Sequence, residues 1–260
     1  MEMMDTGREG DGLTDRKTLS RLDDFLLVHG VGGVALAWSG GVDSSFLEWR
    51  LKVLGVRLGL KRVDTPMLDV PEVVANGRDR CYHCKSAIFR QVWAFARAQG
   101  LAVVMDGTNA DDMGTYRPGL RALVEQKVIS PLKEVGMGKA AIRRIAAAAG
   151  LPFASMASSP CAATRFPYGE SLTREGIARV EAAEEFLWRM LPEGIDIRVR
   201  SERGAARLEV SPSAMAKVHD HWSQIAGRLD ELGFSPWKSI LSGIAPEFDF
   251  PYVPCMVNSC

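Results

Sequence analysis

The stretch Val34-Ala-Leu-Ala-Trp38, Ser39-Gly-Gly-Val-Asp-Ser44 and Ser45-Phe-Leu-Glu-Trp-Arg-Leu-Lys-Val-Leu54 reads as strand, glycine turn and helix. A short apolar run before two adjacent glycines is a buried strand, and Phe46, Leu47, Arg50 by its stem, Leu51 and Leu54 then fall on one helical face. Gly40 and Gly41 lack a Cβ, so the backbone turns sharply and its N–H groups can approach an anion. Ser39 and Ser44 add hydroxyls, and the following helix directs its positive end at the same spot. Many structural βα loops contain a serine-glycine turn, but the full hexapeptide in this context predicts a phosphate cradle. It is not a Walker loop, because no lysine follows the glycines.

At 260 residues the chain has room for one large domain or two small ones. Lys plus Arg and Asp plus Glu both number 32, so there is no overall charge to attract nucleic acid or an anionic membrane. No apolar run reaches membrane-span length, and the acidic start Met1-Glu-Met-Met-Asp-Thr6 is unlike a signal peptide, so a cytoplasmic protein is expected. Five cysteines with a Cys81-Tyr-His-Cys84 spacing suggest metal or redox chemistry rather than a secreted disulfide framework. Zinc would need four ligands, and only His83 stands near the pair.

Outward from the cradle, residues 1–13 read as a mobile tail, and Thr14 as the cap of a helix carrying Leu19, Leu22, Phe25 and Leu26. Val56 to Val63 reads as a strand, Asn76 to Lys85 as the lead into a helix that carries Ile88, Phe89, Val92, Trp93 and Ala96 and is stopped by Gly100, and Leu101 to Met105 as another strand. Ala122 to Gln126, Val128 to Ser130 and Lys139 to Ala149 continue as helix, short strand and helix. This alternation predicts an α/β fold, a doubly wound parallel sheet occupying residues 14–154. An irregular linker, 155–172, leads to a smaller α+β unit, 173–245, and a tail, 246–260. In that unit Thr173 caps a helix, Ile195 to Arg200 and Ala206 to Val210 form a hairpin about Gly204, further helix reaches Leu232, and a last strand lies near Trp237 to Leu241.

Asp106, Asp111 and Asp112 fall just after the strand ending at Met105, where ligands bind in open α/β sheets. They could cap a helix and solvate a loop, or hold the Mg²⁺ that bridges ATP phosphates. Asp43, inside the cradle, is a second magnesium candidate, because a carboxylate beside triphosphate needs a cation between them. Cys161 lies in a proline-flanked irregular loop with Arg165 four residues on, and a nearby guanidinium favours the nucleophilic thiolate. Arg198 and Arg200 share a strand face with Asp196, and two guanidiniums about 7 Å apart suit a phosphate or carboxylate as well as solvent.

The hexapeptide resembles the pyrophosphate loop of the ATP pyrophosphatases. With Asn76 to Lys85, Asp106 to Gly119, Ser130-Pro-Leu132, Gly150-Leu-Pro152 and Pro160-Cys-Ala-Ala-Thr-Arg-Phe-Pro-Tyr-Gly169, in order over roughly residues 30 to 235, the chain resembles one subgroup. These are the LarE-type sacrificial sulfur transferases that mature the nickel-pincer cofactor of lactate racemase. The resemblance implies that ATP adenylates a carboxylate of a pyridinium biscarboxylate mononucleotide, that Cys161 displaces AMP, and that its C–S bond then breaks to leave a thiocarboxylate and dehydroalanine. It implies nucleotide contacts from Ser39, Gly40, Gly41, Val42, Asp43, Ser44, Gly107 and Asn109, catalysis by Cys161 and Asp43, magnesium on Asp43 and Asp111, and substrate contacts from Arg117, Arg165, Arg198 and Arg200. Other lactate racemase maturation proteins would be indirect partners, and a homo-oligomer stays open.

Two features depart from the family pattern. The chain is shorter after the cradle helix by roughly one strand-helix unit, on the order of 25 to 30 residues, which touches the strand that helps hold adenine. The tail carries Cys255 and Cys260, and some relatives hold a 4Fe–4S cluster on three cysteines, here Cys161, Cys255 and Cys260. The alternatives are an amide synthetase, a tRNA-thiolating enzyme, or a nucleotide-binding protein without turnover. Val56 to Val63 is expected to pair directly beside Val34 to Trp38 through a right-handed crossover.

Overall fold

The computed structural model describes residues 6–61, 67–113, 118–156, 161–191, 197–234 and 242–243. The chain divides into two compact units, Met1–Val70 with Arg78–Ser159, and Pro71–Gly77 with Pro160–Cys260. The second thus takes in a short segment from the middle of the expected nucleotide-binding region. Among the described residues no helix is long and apolar enough to cross a membrane.

In the first unit α1 (Thr6–His29) precedes β1 (Val34–Ala37), α2 (Val42–Val53) and β2 (Leu58–Lys61). Helix α1 begins before Thr14, so residues 6–13, expected as tail, are helical, and Thr14 lies inside the helix. Leu22 and Leu26 are fully buried on its core face. The helix is also tied by a bidentate pair of Arg50 with Asp23, and by Arg144 donating to both carboxylate oxygens of Asp15 at 2.8 Å.

The short α3 (Pro71–Val74) belongs to the second unit; α4 (Arg80–Ala98), β3 (Val103–Asp106), α5 (Pro118–Glu125), α6 (Pro131–Glu134) and α7 (Lys139–Ala148) complete the first. The sheet order is β2-β1-β3, all parallel. Val34 pairs with Leu58 and Ala37 with Lys61, so the strand after α2 does lie directly beside β1. The expected Val128 to Ser130 strand is a single parallel bridge, Ile129 to Met105.

The sheet carries helices on both faces, as the α/β alternation dictates. Phe46, Leu47, Leu51, Leu36, Met105 and Ile142 fill one side, and Ala35, Phe89, Val92, Ala96 and Val104 the other. Successive strand residues, Ala35 and Leu36, therefore enter opposite cores, which is why both are apolar. On β2, a Cβ at Gly59 would sit 2.5 Å from Leu101 Cδ1 and 3.1 Å from Phe95 Cε1, so glycine lets both side chains pack closely on the strand.

The second unit contains α8 (Arg174–Met190), β4 (Ile197–Glu202), β5 (Ala205–Val210), α9 (Met215–Asp220), α10 (Trp222–Glu231) and β6 (Ser242–Gly243). Thr173 caps α8 by accepting from Gly176 N–H at 3.0 Å. β4 and β5 form the expected antiparallel hairpin, and β6 adds to β5 in parallel. Ile197, Val199, Leu208 and Val210 are buried on one hairpin face, and Val180, Ala183 and Leu187 are buried on α8. The expected strand at Trp237 to Leu241 lies outside the described residues.

Candidate functional site

The turn between β1 and α2 is built from its own serines and glycines. Gly40 adopts φ +79°, a left-handed conformation that glycine reaches without strain. Ser39 N–H donates to Ser44 Oγ at 3.3 Å, the two serine hydroxyls lie 3.1 Å apart, and Ser44 Oγ donates to Gly41 O at 3.1 Å. The first intrahelical bond of α2 runs from Ser45 N–H to Gly41 O. Helix geometry leaves the N–H groups of Val42, Asp43 and Ser44 ahead of it without an intrahelical acceptor, and Gly41 supplies no side-chain cap. These donors and the helix dipole form a site suited to an oxyanion.

The loop after β3 closes on this turn. Gly107 passes so near α2 that a Cβ there would lie 2.8 Å from Ser44 N, so glycine is required for the approach. Asp106 is buried and accepts from Ser130 Oγ at 2.6 Å and from Thr108 Oγ1 at 2.6 Å. Asn109, also buried, donates from Nδ2 to Asp43 Oδ2 at 3.0 Å, and its backbone N–H donates to Asp112 Oδ2 at 3.1 Å. Two strands' C-terminal ends and one helix N-terminus thereby enclose a cavity of about 350 Å³, with Ser39, Asp43, Ser44, Lys85, Asp106 and Asp112 in its wall.

Asp43 is the electrostatic centre of that wall. Burial pushes its carboxyl above the usual value, and neighbouring Asp112 adds to the effect; Lys139, the Asn109 hydrogen bond and Arg143 oppose it. Lys139 Nζ stands 3.9 Å from Asp43 Oδ2, while Oδ1 is buried with no hydrogen-bond partner among the described residues. An orphaned carboxylate oxygen beside a second carboxylate is a donor set suited to a hard divalent cation.

Asp111, the other magnesium candidate, faces elsewhere. Its Oδ2 accepts from Lys139 N–H at 2.7 Å, at the start of α7, and a Cβ on Gly138 would lie 2.7 Å from its Oδ1. It caps a helix, the bland reading of an Asp-rich turn, and Asp112 takes its place at the cavity.

Lys85 escaped the sequence reading. It enters from α4 with Nζ 3.7 Å from Asp106 Oδ2, and Gly119 makes room, since a Cβ there would meet Lys85 Cδ at 2.9 Å. The signal was available: Lys85 heads the stripe Ile88, Phe89, Val92 and Ala96 at spacings of three and four, so a cation stands on a buried helical face.

In the second unit Cys161 is exposed, outside any disulfide, at the start of the 3₁₀ turn Ala162–Arg165. Thr164 folds back on it, donating from N–H at 2.9 Å and from Oγ1 at 2.7 Å to Cys161 O. Arg165, expected at the substrate, is paired within the unit. It is 3% exposed and makes a two-point pair with Glu184, at 2.5 and 3.1 Å, so its charge is neutralised inside the unit. Glu184 Oε1 also accepts from Val199 N–H at 2.9 Å, joining α8 to β4.

Arg198 and Arg200 share the polar hairpin face, opposite Glu209 and Arg207 in register. Arg200 donates to Glu209 Oε1 at 2.7 Å and to Thr164 O at 3.0 Å, so it braces the turn that follows Cys161. The Arg198 side chain has no hydrogen bond or ion pair among the described residues, which leaves it the more available cation. The loop below is held by Asn76, whose Nδ2 donates to Pro167 O at 2.8 Å and Glu170 O at 2.9 Å. Arg117, Asp196, Cys255 and Cys260 lie outside the described residues.

No protein-family model matches the chain. It is 41% identical over 151 residues to an uncharacterized protein of Synechocystis, covering 58% of this chain and 55% of that protein, so it spans about half the length of that curated relative. It is 28% identical over 222 residues to an uncharacterized protein of Methanocaldococcus jannaschii, covering 77% of this chain and 86% of that one. It is 29% identical over 231 residues to the pyridinium-3,5-bisthiocarboxylic acid mononucleotide synthase of Lactiplantibacillus plantarum, covering 77% and 83%.

Proposed function

We propose that this chain is an ATP-dependent sulfur transferase that converts a carboxylate of a pyridinium biscarboxylate mononucleotide to a thiocarboxylate. The observation that carries the reading is the cavity at the head of α2, where first-turn N–H groups and Lys85 surround a space bounded by Asp43 and Asp112. A named synthase among the similar proteins supports an enzymatic role.

Activation of a carboxylate requires its oxygen to attack the α-phosphorus of ATP while the bond to pyrophosphate breaks. The cradle N–H groups, with Lys85, bind the departing pyrophosphate and stabilise its charge. Magnesium fits Asp43 and Asp112, on the evidence of the orphaned Asp43 Oδ1, and when bound would neutralise phosphate charge. Asn109 holds the Asp43 carboxylate in orientation.

Cys161 supplies the nucleophile in this reading. Its thiolate attacks the acyl carbon, a thioester forms, and AMP leaves with the electrons of the broken C–O bond. Loss of the Cys161 Cα proton and scission of its Cβ–S bond then give dehydroalanine, and sulfur stays with the substrate. Arg198 binds the substrate phosphate, and Arg200 positions the turn next to Cys161 through Thr164 O.

Intact-protein and peptide mass spectrometry after incubation with ATP, Mg²⁺ and the pyridinium substrate tests the proposal. The expected result is loss of the mass of H₂S at Cys161 and an inactive Cys161→Ser variant. Anaerobic protein with stoichiometric iron and sulfide, and no dehydroalanine after turnover, would move the sulfur source to a cluster on Cys161, Cys255 and Cys260. ATP bound without pyrophosphate release would remove the enzymatic reading.

A further inference from the structure

The pair Cys81 and Cys84 has no part in the reaction above, yet the fold sets a third sulfur beside Cys84. Met67, in the 3₁₀ turn Met67–Asp69, places Sδ 3.2 Å from Cys84 Sγ. Cys81 and Cys84 stand at positions i and i+3 of α4, which puts them on one helical face, and neither is in a disulfide. Cys81 is exposed, so the group has a route to solvent.

The donor chemistry selects the ion. Among the described residues no three His, Cys, Asp or Glu side chains converge, so hard cations and four-coordinate zinc lack a ligand set there. Two thiolates and a thioether are soft donors, and the thioether in particular suits a soft, low-charge ion with a small coordination number. We propose that Cys81, Cys84 and Met67 form a three-sulfur site for cuprous ion. Binding exchanges two thiol protons for one Cu⁺ and changes no oxidation state. Lys85 follows Cys84 directly, so the same turn of α4 carries the copper site and the cavity cation.

The test is anaerobic titration of the reduced full-length chain with cuprous ion, in competition with bathocuproine disulfonate. One ion per chain should be retained, with thiolate-to-copper absorption in the near ultraviolet. Cys84→Ser should weaken retention by about 100-fold and the near-isosteric Met67→Leu by about tenfold, each with unchanged circular dichroism. Retention should persist in the Cys161→Ser/Cys255→Ser/Cys260→Ser triple variant. Failure to hold the ion against the competitor, indifference to Met67→Leu, loss in the triple variant, or tighter retention of Zn²⁺ than of cuprous ion would each overturn the assignment.

Discussion

Asn109 Nδ2, in the loop after β3, donates at 3.0 Å to Oδ2 of Asp43, 66 residues away in the first turn of α2, while the other Asp43 oxygen is buried with no partner among the described residues. The carboxylate is therefore oriented but not satisfied. That arrangement suits binding of a cation more than stabilisation of the empty fold. Asp43→Asn should lower pyrophosphate release by at least about 100-fold while the fold is kept, because little core is disturbed. Steady-state pyrophosphate assays with circular dichroism check this, and full activity would take Asp43 out of the reaction.

The same carboxyl sets a pH dependence. Burial raises its folded pKa above the ordinary 3.8, so the native state binds the proton more tightly than the unfolded chain. Stability contributed by Asp43 is thus greatest at acid pH and is lost as pH rises from 3.8 through the raised folded value. Without nucleotide or metal, Asp43→Asn should melt at or above the parent temperature at pH 7, and the difference should fade on acidification. A thermal advantage that grows toward low pH would contradict the sign.

Lys85 is about one-third exposed and 3.7 Å from Asp106, so its ion pair contributes little to stability. Lys85→Met should change unfolding free energy by less than about 1 kcal/mol and reduce pyrophosphate release by at least about tenfold. A parallel collapse of melting temperature would make the residue structural instead.

Arg165 and Glu184 present the opposite balance. Both are buried, at 3% and 5% exposure, and removing one leaves the other charged without its partner. Arg165→Ala should destabilise the second unit by about 3 to 5 kcal/mol, measured by urea unfolding. A stable variant with a raised KM for the pyridinium substrate would restore the role in substrate binding.

Arg198 and Arg200 should separate in the same assays. Arg198→Ala should raise the KM for the phosphorylated substrate by about tenfold or more with melting unchanged. Arg200→Ala should lower the melting temperature as well, because it breaks the contacts to Glu209 and Thr164. Identical behaviour of the two variants would argue against this division.

What the sequence determined by itself was local and periodic. The β1-turn-α2 cradle, the Thr173 cap and the β4–β5 hairpin follow from glycine placement, capping chemistry and apolar spacing within a few residues, which act before any distant contact forms. The pairing of β2 beside β1 was also legible, because a right-handed crossover through one helix leaves a parallel strand little other choice. Tertiary structure decided which charged side chains meet. Arg165 is taken by Glu184, 19 residues on, Asp111 by an N–H 28 residues on, and Lys85 turns to Asp106, 21 residues away. Sequence spacing cannot assign those partners, because a long side chain reaches several positions, and the winner is the group that burial leaves in need of an opposite charge or a hydrogen bond.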